Sequence, residues 1–470
     1  MKKLKKYYLE ILILPFIGNF LYNIFHEKNI GFIFEVNYFN LISSMLLFLI
    51  LFFIGKALKN TFKLNNISIS IVFYFVFLFL GENIFLFLTK NIFFNYYFII
   101  SNSLLVVYIL FKKKANKEIF YLMIVLITNF NFVKLFEKYL RVIKLVKGDV
   151  EYQWFPMAEN IYNINYYYSL TNPVIDGYGQ LISYVHAVLL KINFNFSNYE
   201  YLTSTTNLLF FLAILFFSEL NISTKHKIYL SAVYSTIVLN SEWLNYLFLD
   251  SIMGEGIVSL FFSIGLYSLF KEIKKGNESN ALIFIIFGCL YFTKQFVSIL
   301  VIFICCLLFI SYVKNPKIIL ALIPFSINEV NLKTVLVNIR RDAYVSDFDF
   351  KDTAVDLLTN TNLNIENAQI ILFNLFEDRP YTYLLIIFVI SNILLLSKKY
   401  FDKESIYFLI IFLINLFLIF GLYISAWRNM PELDSPIRYI LNLFHLTLIY
   451  TFLNFEKYVV VLSESFPRKQ

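Results

Sequence analysis

The chain has 470 residues, of which 59% are hydrophobic and 15% charged, with a formal net charge of +8 and a mean hydropathy of +0.68. Soluble domains carry about 25% charged residues, so this composition excludes an ordinary soluble enzyme. The positive charge does not indicate nucleic-acid binding, because the lysines cluster between apolar runs, as the positive-inside rule describes for membrane proteins. The three cysteines lie in apolar runs and show neither disulfide nor metal-ligand spacing.

The N-terminus carries four lysines within its first six residues, ahead of an apolar run at 11–25. This arrangement is similar to that of a secretory signal peptide. The following LYNIFHEKN offers no small-residue cleavage site. We therefore predict an uncleaved first transmembrane span.

Apolar runs long enough to cross a bilayer recur along the whole chain, separated by short basic clusters. Taking the lysine clusters as cytoplasmic, the predicted spans alternate across a plasma (inner) membrane and both termini lie in the cytoplasm. The predicted apolar segments are residues 8–25, 39–55, 67–88, 92–111, 119–135, 204–220, 229–247, 256–270, 281–293, 296–313, 318–327, 380–397, 406–425 and 438–455. We place the shorter, polar-flanked segment 181–190 in the membrane interface.

The predicted fold is an all-α polytopic membrane protein with about 12–14 transmembrane helices. It includes interfacial helices in an outer loop near 137–200 and a small outer segment near 328–379. The predicted divisions are an N-terminal set of about four spans at 1–118, a membrane core at 119–327 with an outer loop at 136–203, the outer segment 328–379, and C-terminal spans with a short cytoplasmic tail at 380–470.

The long polar interruption GDVEYQWFPMAENI, after the predicted span 119–135, is the first candidate site. It places Asp149 and Glu151 two residues apart on the predicted outer face. A carboxylate there can act as a general base toward a hydroxyl group. Alternatively, two such carboxylates can share a divalent cation with a phosphate. A solvated loop with interfacial aromatic residues remains the non-catalytic interpretation.

Basic residues at predicted outer positions form the second candidate set. Arg438, at the start of the last span, and Arg428 before it run against the positive-inside preference, and a guanidinium group pairs well with phosphate. Lys294 and Gln295 lie between two short apolar segments, where an ionisable group is a functional candidate. Snorkelling of these side chains to lipid headgroups is the alternative.

Other polar residues have simpler interpretations. Asp250 and Glu255 begin a predicted span, where an acidic residue caps the helix. Asp176 lies among turn-forming residues. His186 and His445 occur singly on apolar segments, and we interpret both as packing residues.

Taken together, these segments resemble the GT-C superfamily of integral-membrane glycosyltransferases, which use polyprenyl-phosphate-linked sugars. The matching pieces are GDVEYQWFPMAENI, DGYGQLISYVHAVLLKI, GCLYFTKQFVSILVIF and SPIRYILNLFHLTLIY, and they span roughly residues 119–455. Three features differ from the family pattern. About four spans precede the span 119–135 that leads into the acidic loop, the acidic pair is DxE, and Asn442 stands near a position where proline is common.

The resemblance implies a glycosyltransferase that works on the outer, periplasmic face. Asp149 would deprotonate or orient an acceptor hydroxyl, Glu151 would support it, and the hydroxyl would displace polyprenyl phosphate with inversion. Arg438, Lys294, Gln295, Arg428 and Tyr178 would bind substrate. The implied partners are a polyprenyl-phosphate-linked sugar, a glycan, lipid or protein acceptor and membrane lipid. Asp149 and Glu151 would hold any divalent cation.

Two other functions fit the same pattern. An O-antigen polymerase or ligase would depend on Arg340, Arg341 and Arg379 more than on Asp149. A lipid or solute transporter would show helices broken at mid-membrane or repeats in two halves, and the sequence shows neither.

Overall fold

The computed structural model describes residues 38–88, 93–112, 116–136, 155–171, 180–193, 200–241, 244, 254–293, 295–311, 316–327, 359, 366–377, 379–397, 403–424 and 440–464. These residues are 93% helical and contain no strand. Six of the described helices are long and apolar enough to cross a membrane. The chain is therefore an all-α membrane protein with several spans, as the sequence predicts, and the higher total number of spans stays a prediction.

The chain divides into two compact units. The larger unit comprises Asn37–Glu219 and Leu249–Asp347, and the smaller unit comprises Met1–Val36, Leu220–Phe248 and Phe348–Gln470. The four divisions predicted from the sequence stay predictions.

The larger unit contains eleven described helices. They are α1 (Tyr38–Phe62), α2 (Ile67–Leu88), α3 (Phe94–Phe111), α4 (Asn116–Phe136), α5 (Phe155–Asn163), α6 (Tyr166–Thr171), α7 (Gln180–Asn193), α8 (Glu200–Glu219), α10 (Gly254–Ile273), α11 (Ala281–Cys289) and α12 (Gln295–Ser311). Short 3-10 segments occur at Gly276–Glu278, Leu290–Phe292 and Pro316–Leu322. Helices α5, α6 and α7 fall within the loop where the sequence predicts interfacial helices.

Helix α10 is the central helix of the larger unit. Nearly all of its side chains are buried, including the polar Glu255 in its first turn. It packs against α2, α8 and α11, while α1 packs against α2, α4 and α8. A helix that is apolar on all sides is stable only when surrounded by other helices or lipid. The sequence of α10 therefore fits its central position.

Helices α3 and α4 instead expose large apolar side chains. Examples are Ile99, Leu104 and Val107 on α3, and Phe120 and Met123 on α4. An apolar face of this extent on candidate spans is suited to hydrocarbon rather than water. These two helices contact membrane lipid.

The end of α1 is stabilised by backbone hydrogen bonding, and the start of α2 by a side chain of a distant helix. Lys63 follows α1 with a left-handed φ of 53°, and the Leu64 N–H donates to the Lys59 carbonyl at 3.2 Å, which is the Schellman pattern of a helix C-terminus. Glu219, at the end of α8, accepts hydrogen bonds from the N–H groups of Ile67 at 2.6 Å and Ser68 at 2.9 Å. A carboxylate at a helix N-terminus satisfies unpaired N–H groups and complements the helix dipole.

The loops around these residues form what we call the basic end, defined by Lys56, Lys63, Lys275 and Lys317. The Lys275 Nζ donates to Asn65 Oδ1 at 2.7 Å, and the Lys317 Nζ donates to the Ser279 carbonyl at 2.7 Å. These contacts bring together loops that the sequence predicts on one side of the membrane. The cytoplasmic assignment of that side stays a prediction.

The described helices of the smaller unit are α9 (Thr224–Asn240), α13 (Glu366–Glu377), α14 (Arg379–Ser397), α15 (Lys403–Ile424) and α16 (Phe444–Glu464). Helix α13 lies in the predicted outer segment 328–379. Helix α16 packs against α9, α14 and α15. Asn454 on α16 donates to Ser391 Oγ at 3.3 Å and Asn392 Oδ1 at 3.2 Å. Buried amide side chains paired in this way hold apolar helices in one register.

Candidate functional site

Most of the substrate and catalytic residues predicted from the sequence lie outside the described residues. They are Asp149, Glu151, Tyr178, Lys294, Arg428 and Arg438. Gln295 begins α12, and its side chain also lies outside the description. Their predicted meeting at one site stays a prediction.

The described residues nearest to the acidic pair form a short helical block, 155–171, which comprises α5 and α6. The block follows Glu151 in sequence and precedes Tyr178. Helix α5 packs against α3 and α7. The N–H of Phe94, at the start of α3, donates to the Ile164 carbonyl at 2.7 Å. The block is therefore attached where α3 begins, on the side of the larger unit away from the basic end.

Glu82 on α2 provides a second attachment for this block. Its side chain is 2% exposed, and its Oε1 accepts the Tyr166 N–H at 3.0 Å. Its other oxygen, Oε2, has no hydrogen-bond partner among the described residues. Among the described residues, no lysine, arginine or histidine forms an ion pair with Glu82. A carboxyl inside a candidate membrane span is a functional candidate by default.

Helix α7 begins beside the middle of α2. The Tyr184 hydroxyl donates to the Leu78 carbonyl at 3.1 Å, and its ring lies 5.4 Å from that of Phe79. At a rise of ~1.5 Å per residue, Phe79 is about 18 Å from the start of α2, in a helix about 33 Å long. The far end of α7 lies beside the start of α1, where Ser43 Oγ donates to Asn193 Oδ1 at 3.3 Å. Helix α7 thus lies beside the half of α2 away from the basic end.

A second element stops at the same depth. Helix α11 starts at the basic end, where Asn280 Nδ2 donates to the Phe62 carbonyl at 3.0 Å. The 3-10 segment after α11 places the Phe292 ring 5.5 Å from Phe79. A Cβ at Gly265, near the middle of α10, would lie 2.5 Å from Leu290 Cδ1. The predicted segment 281–293 therefore ends beside the middle of two long helices, as far as it is described.

The first turns of α7 and the 3-10 segment Leu290–Phe292 pack against each other at this depth. Helices that end inside a membrane leave backbone groups needing partners, and such ends occur where they are buried in protein or line a cavity. In transporters, ends of this type surround substrate sites. The packing of these two element ends is therefore a feature that any function assigned to the larger unit has to accommodate.

Helix α7 also buries polar atoms. His186 is 1% exposed, and neither of its ring nitrogens has a hydrogen-bond partner among the described residues. The Ser183 hydroxyl, one turn earlier on the same face, is buried in the same way. Interpreting His186 as a packing residue accounts for its burial but leaves its two nitrogens unexplained, since buried polar groups are normally paired.

The opposite end of α7 carries a partly buried lysine. The Lys191 Nζ lies 3.4 Å from the centre of the Tyr162 ring, which is a cation–π contact. Burial lowers the pKa of Lys191 to about 8 and raises the pKa of Tyr162 to about 12. Burial also raises the pKa of Glu159, one turn before Tyr162. This surface of α5 and α7 therefore combines a lysine that loses its proton more readily than usual with an aromatic ring.

In the smaller unit, the described residues after Arg438 form a buried polar group at the start of α16. The amide atoms of Asn442 have no hydrogen-bond partner among the described residues. His445 Nε2 lies 3.3 Å from the Tyr234 hydroxyl, and the Phe444 ring packs against Tyr234 and Tyr381. His445 is thus packed and hydrogen-bonded, as its interpretation as a packing residue requires.

Within the described ranges, no group of three or more His, Cys, Asp or Glu residues is arranged to hold a metal ion. The predicted cation ligands, Asp149 and Glu151, lie outside those ranges. Cys289 and Cys305 are buried thiols and Cys306 is exposed.

Glu82 is not among the site residues predicted from the sequence, because the predicted acids all lie outside the apolar runs. The signal was present, since Glu82 is an acid inside the apolar run 67–88, and such residues are rare in spans. Its partner Tyr166 is far away in sequence, so no local pattern links the two.

Comparison with protein-family models, curated proteins and solved structures gives no match for this chain.

Proposed function

We propose that this chain is a membrane glycosyltransferase that moves a sugar from a polyprenyl-phosphate donor to an acceptor hydroxyl on the outer face of the plasma membrane. The observation that carries the proposal is the helical block 155–171. It follows Asp149 and Glu151 directly in sequence, and it is attached to the larger unit on the side away from the basic end. In this proposal the acidic loop before the block faces water and lipid headgroups together, as transfer from a lipid-linked donor requires. The proposal includes the GT-C-like arrangement, 12–14 spans and cytoplasmic termini predicted above.

In the proposed reaction, Asp149 accepts the proton of the acceptor hydroxyl as its oxygen attacks the anomeric carbon. The bond between that carbon and the phosphate oxygen breaks, and polyprenyl phosphate leaves with the bonding electrons. Arg438, with Lys294 or Arg428, stabilises the charge that develops on the phosphate. Gln295 and Tyr178 contact the substrate, and any divalent cation binds Asp149 and Glu151.

The test uses the full chain in lipid nanodiscs with synthetic polyprenyl-phosphate sugars, one common hexose or pentose at a time, and a bacterial envelope extract that supplies the glycan, lipid and protein acceptors. Release of free polyprenyl phosphate is measured by chromatography for the wild type, Asp149→Ala and Glu278→Gln. Glu278 is an exposed acid near the basic end and serves as the matched control. We expect release by the wild type and the control, and a loss of about 100-fold or more in Asp149→Ala. Undiminished release by folded Asp149→Ala would refute the assigned base.

A transporter is the second candidate, and the junction between α7 and Leu290–Phe292 favours it, because helices ending at mid-depth are a feature of transporter sites. The two functions differ in access to this junction. Thr293, buried at the end of the 3-10 segment, is replaced by cysteine in a chain without other cysteines. Labelling by a membrane-impermeant maleimide from each face in turn supports transport, whereas labelling from one face at most supports the transferase.

A further inference from the structure

Glu82 occupies a position where an apolar residue would be expected. It lies in the candidate span Ile67–Phe85 and is almost fully buried. Burying a carboxyl in this environment is costly unless it gains hydrogen bonds. Its Oε1 accepts the Tyr166 N–H at 3.0 Å, and its Oε2 has no hydrogen-bond partner among the described residues. The Tyr166 N–H is therefore the described group through which Glu82 can act on its surroundings.

The Tyr166 N–H is the first of α6, a helix of six residues. A helix this short does not form by itself, because nucleation is unfavourable and its first N–H groups have no partner within the helix. Two side chains supply acceptors. Glu82 Oε1 accepts from Tyr166, and Asn165 Oδ1 accepts from Tyr168 at 2.7 Å. Asn165 belongs to the block itself, so Glu82 is the acceptor that links α6 to a long helix.

Ring packing places the same tyrosines around α2. The Tyr166 ring lies 5.5 Å from Phe79 and 6.1 Å from Tyr184, both edge to face. Such contacts add modest stability and tolerate sliding more readily than a hydrogen bond does. The carboxyl therefore sets the register of α6 along α2, and the rings fill the space around it.

The block 155–171 separates two stretches that carry predicted site residues, Asp149 and Glu151 before it and Tyr178 after it. Fixing the block therefore fixes where the first stretch ends and where the second stretch begins. We propose that Glu82 is a positioning residue whose carboxyl oxygen, through the Tyr166 N–H, holds the block 155–171 in place for the site. The link to catalysis rests on the proposed function, whereas the positioning itself does not.

The test measures hydrogen exchange of the full chain in nanodiscs without substrate. Glu82→Ala removes the acceptor, and we expect exchange in peptides from 164–171 to rise by roughly tenfold or more. Glu82→Gln keeps a carbonyl oxygen that accepts the same N–H, so exchange there is expected to stay within about threefold of the wild type. Tyr97→Phe is the matched control. It removes a different buried polar group, the Tyr97 hydroxyl, which donates to the Leu78 carbonyl at 2.7 Å, and it leaves the Tyr166 N–H and its acceptor in place.

Wild-type protection of 164–171 in Glu82→Ala would overturn the proposal. So would an equal loss of protection in Glu82→Gln, because the acceptor oxygen would then not be what matters. A uniform rise across α1 and α10 in Glu82→Ala would also overturn it, by showing a general loss of stability. Since no transfer reaction is measured, the outcome is independent of whether the chain is a glycosyltransferase.

Discussion

Replacing Gly288 with alanine tests the close approach of α11 to the segment 316–327. A Cβ atom at Gly288 would overlap the Ala321 carbonyl oxygen and lie 2.7 Å from its carbonyl carbon. Both are backbone atoms, so no side-chain rotation relieves the overlap. The Tyr291 and Phe325 rings, 4.7 Å apart, show that the two segments stay together beyond this point.

The expected loss of stability follows from this geometry. The overlap requires the two segments to separate by roughly 1 Å, which forfeits a quarter to a half of their dispersion energy at the contact. We take the cost as about 3 kcal/mol, the upper end for overpacked cores, and alanine's higher helix propensity offsets about 1 kcal/mol of it. Gly288→Ala should therefore lower the free energy of unfolding by about 2 kcal/mol and the Tm by a few degrees.

Thermal unfolding followed with a thiol-reactive dye measures this change in a chain whose exposed Cys306 is replaced by serine, because Cys289 and Cys305 are buried in the folded chain. Gly265→Ala is the control. The one atom its Cβ would overlap is the Leu290 Cδ1, the end of a flexible side chain, while Phe287 Cδ2 at 3.6 Å is in ordinary contact, so we expect a Tm close to that of the wild type. If Gly288→Ala unfolds at the wild-type temperature, the segments do not approach as described and the reasoning fails.

Two further predictions use the same unfolding measurement. Glu219→Ala leaves the N–H groups of Ile67 and Ser68 without their acceptor and should cost about 2 kcal/mol, with Glu219→Gln recovering part of it; a wild-type Tm in Glu219→Ala would contradict the cap. Because burial lowers the pKa of Lys191 from 10.5 to about 8, the unfolded chain binds more protons between these values, and stability should rise with pH across that window. Lys191→Met should lack this rise, and parallel pH profiles for the two proteins would show that burial of Lys191 is not responsible.

The positions of the long helices could be predicted because a bilayer fixes the length of an apolar span. The predicted span 67–88 coincides with α2, and the predicted span 380–397 differs from α14 by one residue. Lysine clusters also grouped the correct loops, since Lys275 and Lys317 both lie at the basic end. Both features are set by the order of apolar and basic residues along the chain, so a single sequence is enough to predict them.

The length of an apolar run does not show where along the neighbouring helices a short segment ends. The segment 281–293 looks like a span whose end reaches the outer side near Lys294. The packing of Leu290 at Gly265 and of Phe292 at Phe79 puts its described end beside the middle of α10 and α2, and the outer position of Lys294 stays a prediction. That packing is set by contacts between residues far apart in sequence, and the same is true of Glu82 and Tyr166.

The order in which the two units are built has a consequence for synthesis. Helix α9 belongs to the smaller unit, yet it emerges from the ribosome long before α16, which supplies its partners. Until then Tyr234 lacks the His445 side chain, and His226 lacks Glu456, whose Oε1 lies 3.2 Å from His226 Nδ1 in the finished protein. These contacts between α9 and α16 can therefore form only after roughly 200 more residues have been translated, at ~5–20 residues per second.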